Sequence, residues 1–445
     1  MRDTRLRILT LLVAAAACAF AAEHESLLIK NVTIHPVTSS PATSAEIKGG
    51  SVLIVDGKIA EIGTKISAKG VKVFDGKGMD LYPGLINTGS NVGLSEISSI
   101  RDTIDLDEIG IFNPQLKAEV AFNPSSQHVE IVRAAGITTV LSLPSAGGGG
   151  GFGRAGADNP IITGQAALMH LNGWTWEDMA LKRGAALDMS FPTIPNVPRQ
   201  LQNFLGTPQR TYPELEREYK VKLEQMGNFF EDARRYAKAK AAGAPDFEPD
   251  PKFEAMIPVI EGKRPILVRA ERERAIKDAV EFADKEKVKI IIGDPHELGS
   301  TAELLAKHGI PVVLGKTLVL PLREDDPYDS QYTLPAQLFK AGVKICFASF
   351  DVEFARNVPF EAAAAVAFGL PQEEALKGLT INAAEIFGVA DLIGSIEKGK
   401  LADLILTDGD PLEAKTSIKA EFIAGKAVSL ESHHTQLYEK WKERP

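Results

Sequence analysis

Histidines and carboxylates are the groups best suited to move a proton near neutral pH, and this chain holds only eight histidines. His24, His433 and His434 lie near the ends, which leaves His35, His128, His170, His296 and His308. No His-x-His and no His-x-x-Glu-His occurs among them, so no short pattern brings two imidazoles to one metal ion. Gly293-Asp294-Pro295-His296-Glu297 sets one histidine among carboxylates. That is the composition of a general acid–base pair in which a carboxylate orients the imidazole, and equally of a surface loop. Cys346 sits in the apolar run Lys344-Ile345-Cys346-Phe347-Ala348 and reads as a small buried hydrophobe rather than a nucleophile. The five glycines Gly147 to Gly151 lack the Lys-Ser/Thr of a phosphate loop and the spacing of a dinucleotide fingerprint. A flexible loop over the site is the simpler reading. Trp174 and Trp176 could stack on a ring at a pocket rim, but as core or inter-domain anchors they fit the commoner use of such residues. The acidic run from Arg323 to Asp329 is either a mouth loop or solvated surface.

The elements that must position these groups fall into two kinds. From Leu27 to about Pro83 the pattern is all β, with Ser51–Val55 meeting Lys58–Ile62 across Asp56-Gly57, a strong hairpin turn. The far end repeats it at Ala402–Leu406 and Phe422–Val428, so a small β-sandwich assembled from both termini is expected. Between them, buried strands at 136–142, 265–268, 288–292, 310–314 and 343–347 alternate with helical stretches such as 273–285 and 300–308. Strand–helix alternation predicts an α/β fold with a parallel sheet, most simply a TIM-like (β/α)8 barrel. Chemistry in such a barrel sits at the C-terminal ends of the strands. A charged helical stretch over 211–243 interrupts the alternation, and its charges read as a solvated face.

With 50 basic and 59 acidic residues the chain carries a net charge of −9, which argues against a nucleic-acid partner. Arg2, Arg5 and Arg7 precede an apolar stretch from Ile8 to Ala22 that closes on Ala19-Phe20-Ala21, the grammar of a secretory signal. At about 15 residues that stretch is shorter than the roughly 20 needed for a transmembrane span. An exported protein, periplasmic or secreted, is expected, with simple cleavage favoured over lipid anchoring at Cys18. Only Cys346 then remains, so no intramolecular disulfide forms.

Leu81-Tyr82-Pro83-Gly84-Leu85-Ile86-Asn87 resembles the first barrel strand of the amidohydrolase superfamily, in particular its imidazolonepropionase-like branch. The similarity is more specific toward the C-terminus, through Thr380-Ile381-Asn382-Ala383-Ala384-Glu385-Ile386-Phe387-Gly388, Gly394-Ser395-Ile396-Glu397-Lys398-Gly399-Lys400-Leu401-Ala402-Asp403-Leu404-Ile405 and Asp408-Gly409-Asp410-Pro411-Leu412. The chain then divides into a signal peptide over 1–21, a composite sandwich over 22–82 and 400–432, and an amidohydrolase-like barrel over 83–399. The barrel carries a helical insertion at about 205–250, and a tail spans 433–445.

The resemblance implies an exported hydrolase of non-peptide C–N bonds that uses divalent metal held by histidines and a carboxylate. In this sequence the strand-1 pair reads Gly89-Ser90-Asn91, the strand-5 histidine falls at Arg269 and the strand-6 histidine at Asp294. The strand-8 aspartate falls at Phe350 or Asp351. The usual binuclear ligands are therefore expected to be missing. The mouth would instead present Asn91, Arg269, Glu271, Asp294, His296, Glu297, Asp351 and Glu353. Three arrangements of that set are open. His296 with Asp294 or Asp351 forms a metal-free acid–base pair; Asp294, His296 and Glu353 hold a single divalent ion such as zinc; or Arg269 pairs with Asp294 or Glu271 and fills the space structurally. No cofactor is expected under the first and third. The alternative to a hydrolase is a catalytically inactive barrel that binds a small molecule or partner protein. A small-molecule substrate or ligand is expected, without nucleic acid or a transmembrane span, and a homo-oligomer stays open.

Overall fold

The structure, a computed structural model, describes residues 26–144, 160–194, 210–243, 247–321 and 326–444. Residues 1–25 (which include the expected signal peptide), the glycine run and residues 323–325 of the acidic run lie outside the described residues.

The N-terminal part supplies β1 (Ser26–Ile34), β2 (Ile47–Val55), β3 (Lys58–Gly63), β4 (Lys72–Asp75) and β5 (Asp80–Pro83). Asp56 and Gly57, both at positive φ, make the turn between β2 and β3 that their sequence anticipates. The barrel follows as β6 (Leu85–Ser90), β7 (Ile137–Ser142), β8 (Ile162–His170), β9 (Ala180–Ser190), β10 (Ile266–Arg269), β11 (Ile290–Gly293), β12 (Val312–Leu314) and β13 (Ile345–Phe347). The chain returns to the first sheet with β14 (Leu404–Thr407), β15 (Ile418–Ile423) and β16 (Lys426–Val428). That sheet runs β16-β15-β14-β5-β1-β2-β3, with β4 also on β1, and encloses a core of Ile29, Val52, Ile54, Leu81, Leu404 and Phe422. A small β-sandwich is thus built from both ends of the chain, and the helix His433–Trp441 follows it.

The second sheet runs in chain order from β6 to β13. It curls until Ser349 and Phe350 donate their N–H groups to Gly89 O at 3.1 and 2.9 Å, so β13 comes back to β6 and a TIM-like barrel results. One departure from the expected parallel sheet stands out. β8 pairs antiparallel with both β7 and β9. The β8–β9 connection is therefore a hairpin at the N-terminal face of the barrel, which carries both tryptophans away from the mouth. Trp174 is 93% exposed and anchors nothing, contrary to expectation. Trp176 packs half-buried against the core with the Arg183 guanidinium 4.6 Å from its ring centroid.

Successive side chains point to opposite faces of a strand, and the barrel core follows that rule. Ile266, Val268, Ile290, Ile292, Val312, Leu314, Ile345 and Phe347 join the outer cluster under the helices. Leu267, Ile291, Val313, Cys346 and Ala348 join the inner one. The same alternation carries Arg269, Gly293 and Gly315 to the inside of the barrel at its C-terminal end. Cys346 is fully buried, as expected, and burial pushes its thiol up to about 12. Among the described residues no helix is long and apolar enough to cross a membrane.

Candidate active site at the barrel mouth

The insertion forms one long helix, Tyr212–Ala241, opened by a Thr211/Glu214 capping box. It is fixed over the mouth by aromatic contacts: Phe229 stacks on Phe112 with centroids 4.5 Å apart, and Phe230 meets Phe282 edge-on at 5.2 Å. Beneath it lies a cavity of about 430 Å³. Ser190, Arg269 and Asp294 form its floor, while Arg210, Tyr219 and Lys222 come from the inserted segment. Glu271 lines its side.

Asp294 follows β11 at φ 54°, an uncommon conformation for a residue with a side chain. Its carboxylate lies so close to Gly315 that a methyl group there would stand 1.8 Å from Oδ1. His296 Nε2 faces Asp294 Oδ1 at 3.4 Å. The loop that holds the pair is pinned by the His296 and Glu297 N–H groups on Glu271 O at 2.8 and 2.9 Å, and by Gln331 Nε2 on His296 O at 2.7 Å. Burial of the imidazole works to lower its pKa, but hydrogen bonding and charge from Asp294, with the charge of Glu271, outweigh it. His296 therefore holds its proton to a higher pH than an ordinary histidine.

Arg269 finds its carboxylate elsewhere than the sequence suggested. Its Nη2 lies 2.9 Å from Oδ2 of Asp188, a fully buried residue of β9, and 2.9 Å from Ser190 Oγ. Thr163 donates its hydroxyl to the same Asp188 oxygen. Burial pushes the Asp188 carboxyl above its usual value, and Arg269 and Thr163 act against that push. Neither Asp294 nor Glu271 forms the pair with Arg269 that one of the three arrangements required.

Asp351 also stands apart from His296. It pairs with Lys316, and its Oδ1 accepts the Phe354 N–H at 3.0 Å. Glu353 is exposed on the turn after β13. Asn91 is buried and donates its amide to Leu143 O at 3.0 Å. Glu297 lines a neighbouring cleft of about 380 Å³ rather than the main cavity. At the centre of the strand ends is Phe350, at φ 50°. A methyl group placed on Gly89, Gly293 or Gly315 would meet its ring at 3.1, 3.5 or 3.5 Å. Among the described residues no group of three His, Cys, Asp or Glu is placed to hold a metal ion.

The amidohydrolase family model matches residues 81–428, across the whole barrel and into the C-terminal strands. The chain belongs to the amidohydrolase family. An amidohydrolase from Thermotoga maritima MSB8 superposes with a TM-score of 0.76 at 27% identity, covering 91% of this chain and 99% of that one. The amidohydrolase tasK of Hapsidospora irregularis is 21% identical over 428 residues, 90% of this chain and 43% of that protein. The imidazolonepropionase of Sphingopyxis alaskensis is 52% identical over 50 residues, 11% of this chain and 12% of that one. The chain thus spans less than half the length of these curated relatives.

Within this family member, the sequence-derived set splits. Asp294 and His296 come together with Arg269 and Glu271 nearby, while Asp351, Glu353 and Glu297 belong to other surroundings. Asp188, Thr163, Lys316 and the roof residues Arg210, Tyr219 and Lys222 were not anticipated. The one available signal was Asp188 itself, a lone carboxylate in the apolar run Leu187-Asp188-Met189, where a buried charge demands a partner.

Proposed function

We propose that this chain hydrolyses a non-peptide C–N bond of a small molecule held in the mouth cavity, without the divalent metal centre usual in the family. The observation that carries this reading is Phe350. Its ring packs against Gly89, Gly293 and Gly315 at three strand ends, where the resemblance would put metal and its ligands. A zinc site needs three or four nitrogen, oxygen or sulfur donors about 2 Å from the ion. Among the described residues only Asp294 and His296 come together there, with Glu271 at the side of the cavity and no third donor grouped with them; Asp351 is held by Lys316, and Arg269 contributes a fixed cation. These residues do not fit the metal, whether as a pair of ions or as a single zinc.

Asp294, half-exposed to the cavity, takes the proton of the attacking water and returns it to the leaving nitrogen as the C–N bond breaks. His296 stores the compensating positive charge beside Asp294 Oδ1, and Arg269 faces the negative charge that develops on the carbonyl oxygen. Because His296 is shifted upward, the alkaline limb of the rate lies above the ordinary histidine value of 6.5. The leader supports action outside the cytoplasm. The test is turnover of a panel of cyclic amides and N-acyl amines by the wild type, Asp294→Asn and His296→Gln. Loss of general base catalysis lowers kcat on the order of 10²–10⁴-fold in Asp294→Asn. Unchanged kcat in that variant removes Asp294 from the chemistry.

A further inference from the structure

At the end of the barrel opposite the mouth, the sandwich closes the barrel through β14 and β15. Alternation splits these strands between two cores. Leu404, Leu406 and Phe422 face the sandwich interior, whereas Ile405 and Ile423 join the cluster that covers the barrel. Glu421 is paired across the ladder with Ile405 and lies two residues from Ile423, so it falls on the barrel-facing side. The joint is tight: a methyl on Gly136, just before β7, would stand 2.9 Å from Ile418 and 3.3 Å from Ile405.

Glu421 is fully buried, and neither carboxyl oxygen has a hydrogen-bond partner among the described residues. Its charged surroundings come from three elements. Arg133 ends the helix Gln127–Arg133, with Nε and Nη1 donated to Ser429 O and Leu171 O at 3.0 and 2.9 Å. Asp403 precedes β14 and accepts the Ala424 N–H at 2.7 Å. His170, buried at the end of β8, places Nε2 2.9 Å from the other Asp403 oxygen. The ladder neighbours Ile405 and Val428 are apolar.

We infer that Glu421 is a proton-operated clasp between the sandwich and the barrel: neutral, it lets the two domains close on one another, and loss of its proton loosens the joint. An ionised carboxylate here would find no donor among the described residues to replace water. Burial drives the Glu421 carboxyl well above its usual value, the Asp403 charge adds to the rise, and Arg133 is too weak a counterweight. An unfolded glutamate ionises near 4.5. The clasp is therefore at full strength below that pH and weakens as pH climbs toward the folded value. One proton is involved, so the folding constant falls by about tenfold per pH unit inside the window. His170 acts in the same direction from about 6.5 upward, since Asp403 outweighs burial and raises its pKa.

The test is unfolding of the full chain across about pH 5 to 9, comparing the wild type with Glu421→Gln and with Glu421→Leu, which needs no hydrogen bond. Hydrogen exchange is followed at β7, β14 and β15. The expected result is a wild-type slope about one proton steeper than either variant, with alkaline loosening concentrated at those strands. A folded variant that keeps the wild-type slope overturns the clasp. Should neither variant fold, hydrogen exchange of the wild type decides: protection at β14 and β15, corrected for intrinsic exchange, that falls between about pH 5 and 6, below the histidine range, supports the clasp, and protection that stays level there refutes it.

Discussion

At the mouth, Asp188 is fully buried and is met by Arg269, Thr163 and, through Arg269, Ser190. At the opposite end Glu421 is just as buried and is met by no donor among the described residues. The first carboxylate lies beside an open cavity, the second inside a sealed joint. A carboxylate near the loop-built end of a barrel can be met by a cation that reaches it from the cavity, as Arg269 meets Asp188. At the closed end the cheaper solution is to keep the proton. Backbone strain does not follow that division: Asp294 and Phe350 stand at positive φ at the mouth, and Ala424 does so at the joint, where its N–H meets Asp403. Residues held in such conformations cluster where a site over-determines them.

The contrast is broken most forcefully by Arg269→Met. Asp188 would then be buried without its counter-charge, at an expected cost of about 3–5 kcal/mol in urea denaturation. Stability would also fall as pH rises, because the orphaned carboxyl would share the behaviour of Glu421. A cost below about 1 kcal/mol would mean that Arg269 does not hold the charge. A smaller effect sharpens the strain argument. Glycine ordinarily costs about 0.5–1 kcal/mol relative to alanine, but at φ 50° a Cβ itself costs roughly 1–2 kcal/mol. Phe350→Gly should therefore be at least as stable as Phe350→Ala by denaturation midpoint. The ordinary order, alanine ahead, would show that Phe350 carries no strain.

Much of the frame was legible because the inner strands are short apolar runs separated by helical spacing, and because Asp56-Gly57 allows few turns. β8 was not legible. Its nine residues are buried on both faces, so no alternation marks its direction, and nothing local distinguishes an antiparallel visitor from a parallel barrel strand. The Asp294–His296 pair was readable since both residues share one short loop. The partner of Arg269 was not, because Asp188 lies 81 residues earlier. Choosing between Phe350 and Asp351 depended on one residue of register and on a positive φ that no phenylalanine advertises. The three glycines at 89, 293 and 315 were the available hint, one bare strand end each, leaving room for a large ring.

Elemental analysis of the untagged full chain, purified without chelator, addresses the metal-free mouth most directly when paired with the hydrolytic rate before and after chelation. The prediction is zinc, iron and manganese at trace level, with a rate that chelation leaves unchanged. Metal near one equivalent per chain, with activity lost on chelation and restored by zinc, would contradict it and return Asp294 and His296 to the role of ligands.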